Sequence, residues 1–94
     1  MTVGLVALHY PQPTYFEDFI ARVQNAVEAI RQTPGCLAVE CWITSDGDAV
    51  VSTGRWESEE ALTASFATAK NAGVDFTYDE RELRPRQVFT LLPR

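Results

Sequence analysis

The chain has 94 residues, 46% of them hydrophobic and 22% charged, and its 8 basic against 13 acidic side chains give a net charge of −5. A chain of this length supports one domain that buries roughly 60–65% of the surface its unfolded form exposes, and the composition is too apolar for disorder. The acidic balance repels phosphate backbones and anionic lipid surfaces, which argues against nucleic acid and membrane as partners.

No apolar run reaches the ~18 residues that cross a bilayer, and no signal-type basic and apolar stretch opens the chain, so a cytoplasmic location is expected. Residues 2–10, with Val3, Leu5, Val6, Ala7 and Leu8 in near succession, read as a strand apolar on both faces that Pro11 and Pro13 should stop. Thr14 with Glu17 three residues on is a capping-box pattern. Beyond it Phe16, Phe19, Ile20, Val23, Val27 and Ile30 recur at helical spacing, predicting one amphipathic helix of about five turns. Thr33-Pro34-Gly35 should end it, because proline disfavours helical geometry in the residue before it and glycine permits the turn.

Residues 36–44 and 49–56 are β-rich runs around Ser45-Asp46-Gly47-Asp48, and an Asp-Gly pair between such runs signals a hairpin. Ser58 is placed to cap a second helix in which Ala61, Leu62, Ser65, Phe66 and Ala69 share a face, and Gly73 stands where it should stop. From Val74 to Arg86 no period is sustained, so a loop or a helical turn is expected, followed by a fourth strand over residues 87–92.

The order strand, helix, strand, strand, helix, strand is the split βαβ plan: an α+β, ferredoxin-like βαββαβ fold with a four-stranded antiparallel sheet, one domain over residues 1–94. Two helices cover only one face of such a sheet, yet the strands are apolar on both, with Leu5 and Ala7 opposed to Val6 and Leu8. A homodimer is therefore expected, its two sheets packed face to face as a dimeric α+β barrel. Cys36 and Cys41, five positions apart in one strand, lie roughly 16 Å from each other on opposite faces, too far for a disulfide. With a single His and no CxxC spacing, no metal site is expected.

Thr33-Pro34-Gly35-Cys36-Leu37, Glu40-Cys41-Trp42, Asp46-Gly47 and Gly54-Arg55-Trp56-Glu57-Ser58 with Ala61-Leu62 resemble the antibiotic biosynthesis monooxygenase domains of the dimeric α/β barrel superfamily. The resemblance covers nearly the whole chain. It implies a ligand pocket within each protomer, between the helices and one sheet face, and functions ranging from cofactor-free oxidation of aromatic polyketides or quinols to heme breakdown. The heme-degrading branch is similar in using an Asn, a Trp and a His whose positions fall here on Ala7, Ser65 and near Val74, so heme is not expected and no cofactor is assigned.

The resemblance puts Ala7 on the pocket face, and strand parity adds Val3, Leu5 and His9. His9 is the candidate base, because imidazole alone titrates near neutral pH. Tyr78, in the irregular segment, and Arg55, on the hairpin, are candidate hydrogen-bond donors to a substrate oxygen; Arg55 is also the obvious cross-strand partner of Glu40. Trp42 and Trp56 on the two hairpin arms, with Leu5, Ala7 and Phe66, are candidate substrate-binding residues that would stack on or enclose a small apolar or aromatic molecule. Two functions are weighed: a cofactor-independent monooxygenase for a phenol or quinol, and a non-catalytic homodimer that holds a small ligand in the same cavity.

Overall fold

A computed structural model describes residues 1–94. Strand β1 (Val3–Pro11) leads through a 3-10 turn (Pro13–Tyr15) into helix α1 (Phe16–Arg31); β2 (Cys36–Ile43) and β3 (Val50–Trp56) follow, then α2 (Glu59–Asn71) and β4 (Glu82–Leu91). All pairings are antiparallel and the sheet order is β2-β3-β1-β4, the ferredoxin-like α+β arrangement. None of the helices is long and apolar enough to cross a membrane.

Both helices bury their apolar stripes on one sheet face. Phe19, Val23, Val27 and Ile30 of α1 and Leu62 and Ala69 of α2 form one core with Val3, Val39, Val50 and Trp56 from the sheet. Each of the larger side chains removed from water there contributes about 1.5–3 kcal/mol. The sharp entry into β2 depends on Gly35 at φ +83, where a Cβ would stand 2.6 Å from that of Ala61, so the turn needs glycine both for its backbone and for its contact with α2.

Local signals held where a single residue decided the geometry. Ser58 Oγ accepts from the Ala61 amide at 3.1 Å and caps α2. The Thr14 capping box does not form: Pro13 opens a 3-10 turn in which the Tyr15 amide donates to the Gln12 carbonyl at 2.8 Å, so Thr14 lies inside that turn and Tyr15 takes the N-cap position without a side-chain bond. Pro11 is the last residue of β1 rather than its stop, in register with Glu82.

The largest departure is β4, which begins at Glu82 and not at Gln87. Leu8 pairs with Gln87 and Tyr10 with Arg84, so Pro85 and Arg86 oppose the single residue His9; Pro11 then pairs with Glu82, so Leu83 is a second extra residue. Extra residues of this kind hide a strand from period-2 reading, and Pro85, which lacks an N–H, is suited to a bulge.

The other sheet face carries Val6, Leu8, Trp42, Val51, Phe89 and Leu91, and no helix covers it; Trp42 is 54% exposed, Phe89 48% and Leu91 48%. Arg55 is on this face, in register with Ala38 and Gly4, while Glu40 is in register with Thr53. The expected Glu40–Arg55 ion pair does not form, since the register sets the two side chains a step apart and both are exposed to water.

Candidate active site

Between the helices and the covered sheet face lies a cavity of about 500 Å³. Its walls are largely apolar: Leu5 and Ala7 from β1, Val23 and Val27 from α1, and Val39 from β2. Phe19, Trp56, Phe66 and Phe76 add aromatic surface, with Phe66 5.5 Å from Phe76 and 6.2 Å from Trp56 between ring centroids and tilted to both.

The Trp56 indole is held from two sides. Along its own strand it lies over Gly54, two residues back on the same face, where a Cβ would come within 2.5 Å of Cη2. Its Nε1 donates to Ser65 Oγ at 3.0 Å, Ser65 shares a 2.5 Å hydrogen bond with Thr33 Oγ1, and Thr33 Oγ1 also donates to the Ile30 carbonyl at 2.6 Å. This buried chain ties the floor of the cavity to the C-terminal end of α1 and the middle of α2, with the indole proton satisfied.

The polar end of the cavity is formed by His9, Arg22, Asp75 and Arg86. Glu82 stands behind them with its side chain wholly buried; its Oε2 meets Arg86 Nη2 at 2.5 Å and its Oε1 faces His9 Nδ1 at 3.6 Å. Four residues of regular strand would separate Glu82 from Arg86 by about 13 Å. The two bulges shorten that span and turn the exposed Leu83 and Pro85 outward, which is how both charged groups reach the same face beside His9.

Burial of the His9 imidazole pushes its pKa below the ordinary value, the Arg86 cation pushes it further, and the Glu82 carboxylate partly opposes both. The balance favours the neutral ring. Nδ1 and Glu82 Oε1 face each other at 3.6 Å, longer than a hydrogen bond, and both are buried without another hydrogen-bond partner.

The segment from Gly73 to Arg81 closes this end and is pinned by arginines. Arg22 Nε donates to the Asp75 carbonyl at 2.8 Å and its Nη2 to the Thr77 carbonyl; Arg86 donates to the carbonyls of Phe76 and Thr77, each at 3.0 Å. Burial lowers the Arg22 pKa, opposed by Asp75.

Of the residues singled out from sequence, His9, Leu5, Ala7, Trp56 and Phe66 line this cavity. Trp42 does not: it stands on the opposite sheet face, where Nε1 donates to Thr53 Oγ1 at 3.1 Å. Arg55 is likewise exposed on that face. Tyr78 is 48% exposed outside the lining, with the Arg86 guanidinium 5.6 Å from its ring centroid. Arg22, Phe76, Glu82 and Arg86 escaped sequence reading. Arg22 had a signal, since it follows Phe19 by three positions and interrupts the apolar stripe of α1 with a charge. The two cysteines are free, and burial raises both thiol pKa values, so neither is an activated nucleophile.

The fold recurs in solved structures. Rv0793 from Mycobacterium tuberculosis is 23% identical with a TM-score of 0.81, covering 100% of this chain and 96% of that one. A conserved protein from Methanosarcina mazei is 12% identical with a TM-score of 0.87, covering 100% and 94%. SnoaB, a cofactor-independent oxygenase from Streptomyces nogalater, is 14% identical with a TM-score of 0.71, covering 99% and 93%. No curated protein matches the sequence. The family profile described as antibiotic biosynthesis monooxygenase matches residues 2–70, most of the chain including the cavity floor and His9, and the protein belongs to that family.

Proposed function

We propose that the protein is a cofactor-independent monooxygenase for a small phenol- or quinol-type aromatic bound in the cavity of each protomer. The observation that carries this reading is the imidazole of His9 at the polar end of an apolar, aromatic-lined cavity large enough for a fused-ring molecule. Nε2 of His9 takes the phenolic proton, and Glu82, across from Nδ1, stabilises the imidazolium that forms. The deprotonated ring is electron-rich enough to react with molecular oxygen directly. One oxygen atom becomes a ring carbonyl or hydroxyl and the other leaves as water, so that a quinol and O2 give a hydroxyquinone and H2O, with all the electrons drawn from the substrate. The apolar walls keep bulk water away from the intermediates.

The uncovered face with Trp42, Val6, Leu8 and Phe89 supports a homodimer in which a second sheet packs on it. Oxygen consumption with a panel of quinols and polycyclic phenols, without added cofactor, tests the activity. Uptake by the wild type that is lost in His9→Ala is the expected result. Binding of panel members without uptake would favour a protein that holds a small ligand and does not transform it.

A further inference from the structure

Arg22 on α1 and Arg86 on β4 come from distant parts of the chain, yet both guanidiniums converge on one acceptor, the carbonyl of Thr77, and both residues line the cavity. Each also keeps a buried nitrogen with no hydrogen-bond partner: Nη1 of Arg22 and Nε of Arg86. A cationic N–H removed from water without an acceptor is costly, and it is retained where an acceptor arrives from outside the chain.

The surrounding charges do not cancel the two cations equally. Glu82 is in direct contact with Arg86 and neutralises it. Arg22 has only Asp75, 3.6 Å away, half exposed to water, and shared with Arg81 at 3.8 Å, which is itself engaged by Asp79 at 2.8 Å. Burial and Arg86 both disfavour a charge on His9. One under-compensated guanidinium therefore borders an apolar cavity, 15% exposed, with the second beside it.

We propose that Arg22 and Arg86 form an oxyanion subsite, so that the cavity selects an aromatic molecule bearing one anionic oxygen group, a phenolate or a carboxylate, over its neutral analogue. The aromatic side chains of the lining hold the ring, and the two guanidiniums receive the charged oxygen through charge-assisted hydrogen bonds. This deepens the oxygenase reading, since a phenolate held there would be the reactive form, but ligand selection by charge does not require turnover.

Isothermal titration calorimetry at pH 7.5 tests it with 2-naphthoate, 2-naphthamide and 2-hydroxy-1,4-naphthoquinone, an acidic enol that is ionised at this pH. The wild type should bind at least one of the two anions on the order of tenfold more tightly than the amide. Tighter binding of the naphthoate marks a carboxylate site, and tighter binding of the enolate a phenolate site. Arg22→Met, which frees the half-exposed Asp75 carboxylate and the Asp75 carbonyl from the guanidinium, should weaken the anions far more than the amide and so remove the preference. Arg86→Met combined with Glu82→Gln removes the second cation without leaving a buried charge, and should act in the same direction. A loop-pinning role alone would weaken all three ligands together.

Equal affinities in the wild type, no binding of any probe, or a preference that survives Arg22→Met would overturn the proposal. Its fate is separate from that of the oxygenase reading. Anion preference without oxygen uptake leaves the subsite standing and removes the oxygenase, whereas uptake with no anion preference does the reverse.

Discussion

The Glu82 carboxylate faces the His9 imidazole across 3.6 Å, and it does so from a strand whose extra residues bring it there. His9 is the one histidine of the chain, so its ring protons titrate alone in an NMR spectrum. Its midpoint should fall below the ordinary value of 6.5, lower still in Glu82→Gln, and higher in Arg86→Met, because Glu82 favours the charged ring and Arg86 opposes it. With the folded-state value below the unfolded one, the unfolded chain holds more protons between the two, so stability rises with pH through that window and is lost on acidification. Unfolding free energies measured from pH 7.5 downward should show this fall; a wild-type midpoint at or above 6.5 would contradict it.

Removing the Glu82 charge also strands a cation. Glu82→Gln should cost about 3 kcal/mol in urea unfolding, since Arg86 loses its buried counter-ion. Replacing both residues together should recover part of that loss.

Gly54→Ala places a methyl group 2.5 Å from Trp56 Cη2 and 2.8 Å from Cζ3, with the Ala38 carbonyl 3.2 Å away. The ring must shift. Destabilisation of about 1–3 kcal/mol is expected, together with weaker ligand binding as the indole moves within the cavity wall. Denaturation curves and Trp fluorescence read both effects, and an unaltered protein would show that the floor is softer than its contacts indicate.

Ser65→Ala leaves the buried Trp56 Nε1–H without an acceptor, whereas Thr33 keeps its bond to the Ile30 carbonyl. The cost should be about 1–3 kcal/mol, and it should shrink in the background of Trp56→Phe, where there is no indole proton to satisfy.

The uncovered sheet face makes its own prediction. Trp42→Glu with Phe89→Glu introduces two charges into a surface that is apolar and exposed in one protomer. Light scattering should give twice the chain mass for the wild type and the single-chain mass for the double variant, with unchanged circular dichroism. A monomeric wild type would remove the dimer.

Much of the architecture was legible because single residues or strict periods dictate it. The Asp46-Gly47 turn, the Ser58 cap and the stripe from Phe19 to Ile30 each follow from chemistry within a few positions. His9, Leu5 and Ala7 reached the cavity side by strand parity alone. The polar end was not legible. Glu82 and Arg86 become neighbours only through bulges whose register depends on β1, more than seventy positions away in sequence, so no local pattern announces them. Trp42 and Trp56 looked equivalent on a hairpin, yet even spacing along their own strands says nothing about which parity faces the helices; that is decided by pairing to Val51 and Val3.

The bulged stretch of β4 makes the acid–base grouping depend on residue count as much as on residue type. Deleting Leu83 or Pro85 would change no group in the cavity, but it would alter how far Glu82 lies from Arg86 and which way its carboxylate turns. Chain length at one edge strand is thus a tuning parameter for this scaffold: a one-residue insertion or loss can equip or disarm the cavity while the helices, the sheet order and the apolar walls stay as they are.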